Sequence, residues 1–331
     1  MNRNGFPSLA ALKGHTAVAA LLLLGSAIAN PALAGAQLKA VVKTGGSHAA
    51  LVTFDPITGG NIVGTHLNID GASYDFDGIG SITAAPDGTI RGVVKTGGSH
   101  AGLVTFDPAT GENIVGTHLN IDGASYDFDG IGSITYASDG TIRGVVKTGG
   151  SHAGLVTFDP TTGNNIVGTH LNTDGASYDF DGIGSMAYAS DGTIRAVMKT
   201  GGSHAGLVTF DALTGENISG VHLNDLGVSL DFSDVGSILF APDGTFQALV
   251  RSAGNFAALA TFDLATGAQI SKTYLNVSGV NYDFDSLGSL IYVTLSDGVP
   301  GDVPEPASLA LVICGLGAAG IAMRRRPVSR A

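Results

Sequence analysis

The amino-acid sequence predicts an all-β fold, a five-bladed β-propeller built from four-stranded blades. Three observations support this prediction: a 52-residue unit occurs five times in succession, each unit contains four short β-prone segments, and the two ends of the repeat region complement each other. Repeats of this length are typical of solenoids and propellers, whose units bury a core by stacking on neighbours. The chain of 331 residues is 44% apolar, with 50 glycines and no tryptophan, which suits a turn-rich β protein.

The repeat is clearest in one eight-residue motif. Val-Val-Lys-Thr-Gly-Gly-Ser-His occupies residues 41–48, returns at 93–100 and 145–152, and occurs at 197–204 with Met in place of the second Val. A divergent copy, Leu-Val-Arg-Ser-Ala-Gly-Asn-Phe, occupies 249–256. The constant spacing indicates equivalent structural units.

Each unit contains four segments rich in β-branched and aromatic residues, as strands are. Asp87-Gly88 predicts a tight hairpin between the first and second strands, and Asp-Pro-Ala-Thr-Gly at 107–111 predicts a type I turn between the third and fourth. In this unit the predicted strands are 79–85, 89–95, 101–106 and 113–119. Four consecutive antiparallel strands make one propeller blade.

The two ends of the repeat region predict a closed ring. Residues 37–43 have the sequence of a second strand, so the first blade lacks its innermost strand. Residues 287–293 have the sequence of an innermost strand, and no second strand follows them. Pairing the two segments completes one blade from both ends and covers its exposed edges. A five-turn solenoid is the alternative fold, although a solenoid does not require this split phase.

The ends of the chain have the composition of targeting segments. Residues 1–34 combine basic residues, an apolar run and Ala32-Leu-Ala34, which predicts a Sec-type signal peptide; an N-terminal membrane anchor is the alternative. Residues 35–298 are predicted to form the propeller, and residues 299–306 are predicted to form a linker. Residues 307–331 are predicted to form a transmembrane helix with an Arg-rich tail. The apolar stretch of this helix is barely long enough to span a bilayer.

The C-terminal motif consists of Val303, Pro304, Glu305, Pro306, Arg324, Arg325 and Arg326. The Arg cluster is expected to remain in the cytoplasm, which places the repeats on the other side of the membrane. This three-part tail resembles the PEP-CTERM sorting signal. The resemblance implies that the protein comes from a Gram-negative bacterium and is anchored transiently in the inner membrane. It also implies that exosortase-type machinery processes the protein, which is finally located at the cell surface or outside the cell. An ordinary C-terminal anchor that is never processed is the alternative.

Cysteine content bears on disulfide bonds in the exported part, and net charge bears on the classes of partner it can bind. The single cysteine, Cys314, lies in the apolar tail, so the exported part is expected to fold without disulfides. Residues 35–302 contain 10 basic and 27 acidic residues, a net charge of about −17. Such a charge argues against nucleic acid and anionic membrane as partners, and it favours solubility or cation binding.

Closing the ring places the Lys-Thr-Gly-Gly-Ser-His hairpins and the acidic inter-blade loops on one face, opposite the Asp-Gly and Asp-Pro-x-Thr-Gly turns. The face with the hairpins and the acidic loops therefore holds the candidate ligand-binding residues. They are Lys43, His48, Tyr74, Asp75, Lys95, His100, Tyr126, Asp127, Lys147, His152, Tyr178, Asp179, Lys199 and His204.

The acidic inter-blade loops also contain candidate metal ligands. Two carboxylates one residue apart, followed in most copies by Gly, are similar to the start of a calcium loop, although capping of the turn and of the following strand is the favoured explanation. The candidates are Asp75, Asp77, Asp127, Asp129, Asp179, Asp181, Asp283 and Asp285. No other cofactor is indicated. The repeated histidines favour packing over metal binding, because the divergent copy has Phe256 and Tyr274 in their places.

The near-identity of the blades favours a non-catalytic protein. An active site needs unlike residues in unlike roles, whereas repeated sites suit a repetitive ligand. The first hypothesis is therefore a cell-surface or biofilm-matrix protein that binds polysaccharide, with no catalytic residues assigned. The alternatives are a calcium-dependent propeller hydrolase or lactonase, and a structural spacer without a specific ligand.

Overall fold

The computed structural model describes residues 36–294, which form five four-stranded antiparallel sheets arranged as the blades of a propeller. The predicted signal peptide (1–34), linker (299–306) and transmembrane helix (307–331) lie outside these residues. Within 36–294, no helix has both the length and the hydropathy needed to cross a membrane.

The blades are numbered I to V, and their strands follow the prediction to within about two residues at each end. From innermost to outermost strand, blade I consists of Leu287–Thr294, Ala36–Lys43, Ala49–Phe54 and Asn61–His66; blade II of Ile79–Ala84, Ile90–Lys95, Ala101–Phe106 and Asn113–His118; blade III of Ile131–Tyr136, Ile142–Lys147, Ala153–Phe158 and Asn165–His170; blade IV of Ile183–Tyr188, Thr193–Thr200, His204–Asp211 and Asn217–His222; and blade V of Val235–Phe240, Phe246–Ser252, Phe256–Phe262 and Gln269–Tyr274.

Blade I closes the ring with strands from both ends of the repeat region. Leu287–Thr294 pairs antiparallel with Ala36–Lys43, with one register irregularity near the end of the ladder. Every innermost strand contacts the innermost strands of both neighbouring blades, so the ring is continuous. The predicted five-bladed propeller and its split-phase closure are confirmed, and the solenoid is excluded.

The hydrophobic core lies between neighbouring blades. The third strand of each blade has a buried phenylalanine at or next to its last residue, and an inter-blade tyrosine packs edge-on against it in several blades. The ring centroids of Tyr74 and Phe106, for example, are 5.6 Å apart at an interplanar angle of 83°. The equivalent phenylalanines are Phe54, Phe106, Phe158, Phe210 and Phe262. Because each blade buries its faces against the next, no blade has a complete core alone.

A ring of serines connects the innermost strands around the axis. The inward edge of an innermost strand has no pairing strand, and a serine of the preceding blade supplies the missing partner. Ser237 Oγ, for example, accepts a hydrogen bond from the Leu290 N–H at 2.9 Å and donates to the Leu290 carbonyl at 3.4 Å. The ring consists of Ser81, Ser133, Ser185, Ser237 and Ser289. This connection was not predicted from the sequence.

At the perimeter the structure differs from the expected separation of the two faces. The Thr65 hydroxyl of blade I donates to the Thr110 carbonyl of blade II at 2.7 Å, and the Asn68 N–H donates to the Gly111 carbonyl at 3.1 Å. The Asp-Pro-x-Thr-Gly turn therefore contacts the start of the preceding inter-blade segment. Strand twist is the physical reason, because it tilts the outermost strand of a blade toward its neighbour.

Candidate functional site

The Lys-Thr-Gly-Gly-Ser-His hairpin and the acidic inter-blade loop lie side by side. His48 forms an isolated antiparallel bridge with Asp75, and the Ala49 N–H donates to the Tyr74 carbonyl at 2.8 Å. The same bridge recurs in every blade, with Phe256 and Asp283 in blade V. The structure thus brings together the two loops that the sequence places on one face, which we call the loop face.

The acidic loop is more ordered than its sequence indicates. It begins as a hairpin of two-residue strands, Asn68–Ile69 and Ala72–Ser73, and ends in a single 3-10 turn, Phe76–Gly78. Its tip needs two left-handed residues, Asp70 (φ 49°) and a following glycine (φ 78°). Aspartate-glycine is a preferred pair for such a turn. The hairpin projects the acidic loop toward the next blade.

Cations and carboxylates pair weakly across the loop face. Lys43 Nζ lies 3.9 Å from Asp77 Oδ2 and 5.7 Å from the centroid of Phe76. Both charged side chains are well exposed, so the pair contributes little to stability. In blade V, Arg251 replaces the lysine and lies 2.9 Å from Asp285 and 3.3 Å from Asp234. Because the Lys43–Asp77 pair is long and exposed, the lysines of the blades other than V remain available to a ligand.

Tyr74 and Asp75 have partners within the protein. The Asn113 amide of the next blade donates to the Tyr74 hydroxyl at 3.0 Å, and Ser47 Oγ donates to Asp75 Oδ1 at 3.2 Å. Burial raises the pKa of Tyr74, against the opposing effect of the Asn113 hydrogen bond. Tyr74 therefore contributes to the contact with the next blade and Asp75 to the contact between the hairpin and the acidic loop, and each retains hydrogen-bonding capacity for a ligand.

The candidate metal ligands do not converge. Within residues 36–294, no group of three or more His, Cys, Asp or Glu side chains is arranged to hold a metal ion. Asp285, for example, accepts hydrogen bonds from Arg251 and from Asn255. Two carboxylates fall short of the six to eight oxygen ligands that calcium takes, so water or a ligand would have to supply the rest.

The repeated histidines occur as packed pairs. The rings of His48 and His66 are perpendicular, with centroids 6.4 Å apart. In blade V the corresponding residues are Phe256 and Tyr274, and the Tyr274 hydroxyl lies 3.0 Å from Ser252 Oγ. Rings without metal-binding nitrogens thus occupy the same places, and the histidines themselves are exposed, so their role in packing or hydrogen bonding stays a prediction.

The opposite face carries carboxylates with a structural role. Asp107 Oδ1 accepts hydrogen bonds from the N–H groups of Ala109 (2.7 Å) and Thr110 (2.9 Å). The Thr110 backbone hydrogen bond is the main reason why the pKa of Asp107 is lowered. The turn interpretation of this motif is consistent with this geometry.

One cavity of about 580 Å³ opens on the loop face between blades III and IV. It brings together four residues predicted as ligand or metal contacts, and the hairpin serine of blade III completes its polar wall. Those residues are Tyr178, Asp179, Asp181, Lys199 and Ser151. A second cavity, of about 190 Å³, follows the axis and is lined by the innermost strands.

Sequence reasoning missed cavities at the perimeter. Clefts of about 670 Å³ and about 430 Å³ open beside the third and fourth strands of blades II and III, against the preceding inter-blade hairpin. We call these two the lateral clefts. Their sequence signal is a glycine inside each of these strands, Gly102 and Gly116 in blade II, because glycine in a strand often marks a surface open to close approach.

Comparison with known proteins identifies one segment of the chain. A family model described as the PEP-CTERM protein-sorting motif matches residues 302–326. A comparison with curated proteins finds no matching sequence.

Two solved structures illustrate the similarities in fold. Myxococcus xanthus glutaminyl cyclase is 14% identical with a TM-score of 0.40, over 69% of this chain and 77% of that chain. The major allergen Mala s 1 of Malassezia sympodialis is 14% identical with a TM-score of 0.39, over 69% and 73%. Such remote similarities carry no argument about activity.

The sorting motif implies export and membrane-associated sorting to the cell surface by exosortase-type machinery. The chain thus carries a five-bladed β-propeller, described at residues 36–294, followed by a PEP-CTERM protein-sorting motif at residues 302–326.

Proposed function

We propose that the protein is a non-catalytic component of the cell surface or biofilm matrix, and that it binds polysaccharide at several equivalent positions on the loop face. The observation that carries this proposal is the loop-face cavity between blades III and IV, where Lys199, Asp179 and Tyr178 line one opening. The same residue types recur at 52-residue spacing in blades I to III.

The lining of this cavity suits sugar hydroxyl groups. Lys199 supplies hydrogen-bond donors, Asp179 and Asp181 supply acceptors, and the Ser151 hydroxyl can do either. Tyr178 adds an aromatic surface beside these polar groups. Each position alone is expected to bind weakly, and a polymer that reaches several positions gains affinity through the higher effective concentration.

The axial cavity supports a non-catalytic role. The serines that line it direct their hydroxyls to backbone groups of the next blade, as Ser133 Oγ does in accepting the Met186 N–H at 3.0 Å and donating to its carbonyl at 3.3 Å. Hydroxyls used in this way stabilise the ring and are poorly placed to act as nucleophiles. The near-identical blades also repeat one set of side chains, whereas an active site is normally built once from residues in different roles.

A glycan microarray probed with the full-length protein tests the proposal. We expect binding to a subset of repetitive polysaccharides, and we expect it to be lost when four loop-face lysines are changed together to Gln. The four are Lys43, Lys95, Lys147 and Lys199. Lys272→Gln, which removes a lysine outside the loop face, is the control and should leave binding intact. Absence of any bound glycan, or full binding by the fourfold variant, contradicts the proposal.

A further inference from the structure

The lateral clefts share a tyrosine with the loop face and add an apolar wall that the loop-face cavity lacks. In blade II, the preceding hairpin contributes Ile69 and Asp70 on one side, and the third and fourth strands contribute Gly102, Val104 and Gly116 on the other. The corresponding hairpin residues beside blade III are Ile121 and Asp122. Each cleft therefore combines an apolar wall with a carboxylate on a projecting turn.

Within residues 36–294, these carboxylates are not paired with a cationic side chain. The lining of either cleft includes no Lys or Arg, and among residues 36–294 no ion pair involves Asp70 or Asp122. Burial raises the pKa of the Tyr74 hydroxyl, and the negative charge of Asp70 adds to this effect. The carboxylate therefore acts electrostatically on the interior of the cleft, where a cation is favoured.

Blade V shows which chemical group fits at this position. Lys272 occupies the place of Gly116, and the residue paired with it across the ladder is Ala260 instead of Val104. Lys272 Nζ lies 3.7 Å from Asp225 Oδ2 of the preceding hairpin, and only 27% of the lysine side chain is exposed. The chain thus places a butylammonium group of its own in the equivalent of a lateral cleft.

The hairpin carboxylate of blade V lies one position away from that of the lateral clefts. The hairpin carboxylate of blade V is Asp225, which aligns with Ile69, whereas Asp70 aligns with Leu226. The acidic residue is therefore shifted by one position along the same turn. In both arrangements an apolar wall leads to one carboxylate, which is the complement of an alkyl stem with a terminal ammonium.

We propose that the lateral clefts of blades II and III bind lysine side chains of a partner polypeptide, with the stem along Val104 or Val156 and the ammonium at Asp70 or Asp122. The net charge of about −17 for residues 35–302 favours such a basic partner. The site depends on Asp70 and Asp122, which are not among the loop-face candidates, whereas its lining shares Tyr74, His100 and Tyr126 with them.

Titration of the full-length protein with a fluorescein-labelled tetralysine peptide tests the proposal. We expect saturable binding, and we expect the affinity to fall at least tenfold in the double variant Asp70→Asn/Asp122→Asn. The matched control, Glu112→Gln/Glu216→Gln, removes two exposed carboxylates outside the clefts and should retain affinity. Equal loss in both double variants, or no loss in the first, overturns the proposal.

Two further arms define the ligand and the site. The tetralysine peptide acetylated on Nε should not bind. If a chitosan tetramer binds and tetralysine does not, the assignment to a polypeptide is overturned. Gly116→Lys with Gly168→Lys should fill both clefts and abolish binding, and Lys272→Gly should add one site. If the Gly→Lys variants fail to fold, the exposed aspartate substitutions still decide the question.

Discussion

The ring of axial serines makes a quantitative prediction for Ser237→Ala. Ser237 is 8% exposed, and its hydroxyl connects blade V to Leu290 in the closing strand, itself 2% exposed. The substitution removes the acceptor of the Leu290 N–H and the donor to the Leu290 carbonyl. Both backbone groups lie on the inward edge of the innermost strand, where no other strand is available to pair with them.

A buried polar group that loses its partner costs about 1–3 kcal/mol. The 2.9 Å hydrogen bond from the N–H is the stronger of the two, and the 3.4 Å bond to the carbonyl is long and weak, so we take one lost interaction as the measure. The expected loss in the free energy of unfolding is therefore about 1–3 kcal/mol. At about 2–4 °C per kcal/mol for a domain of this size, the melting temperature should fall by several degrees.

Urea unfolding followed by far-ultraviolet circular dichroism measures this loss. Ser219→Ala is the matched control, because Ser219 is exposed on the outermost strand of blade IV. Surface substitutions of this kind stay within about 0.5 kcal/mol of the unsubstituted protein. If Ser237→Ala is as stable as Ser219→Ala, the axial serines do not stabilise the closure and the reasoning is refuted.

Three further outcomes are expected. Gly111→Ala should destabilise more than Gly88→Ala, because both residues have positive φ but only at Gly111 would a Cβ approach the His66 carbonyl, at 2.3 Å; equal melting shifts contradict this. The lowered pKa of Asp107 means that its contribution is present above the ordinary aspartate pKa of about 4 and is lost as the pH falls through the lower folded value. Asp107→Asn should therefore be less stable than the unsubstituted protein at pH 7, and the urea midpoints of the two should converge as the pH falls below the lowered pKa of Asp107; a constant difference contradicts this. Calorimetric titration with calcium should give no heat and no shift in melting temperature, because the described residues contain no cluster of three or more suitable side chains. Saturable heat would support the calcium hypothesis.

The fold was largely predictable because its signals are local and repeated. Asp87-Gly88 and its copies favour a tight turn through their own backbone preferences, and the β-branched segments between such turns favour strands. The split phase of 37–43 and 287–293 then leaves one simple way to complete a blade, and Leu287–Thr294 pairs with Ala36–Lys43 accordingly.

The candidate site was predictable only in part, because side-chain contacts between blades depend on twist and register. The sequence indicates that Lys43 and Asp75 share a face, but not that Asn113 of the next blade bonds to Tyr74. Ser237 has the appearance of an ordinary strand residue, and its role arises from the inward edge of a closed ring. The lateral clefts depend on glycine, which contributes open space and no chemical group that a motif search could recognise.

The central functional claim is that near-identical blades bind one repetitive ligand at several positions at once. The most direct test compares the affinity of the full-length protein for a glycan identified on the array, presented as a tetramer and as a polymer of about 100 units. The account predicts that the polymer binds about 10²–10⁴-fold more tightly than the tetramer. Equal affinity per sugar unit for the two, with one ligand bound per protein, would contradict it.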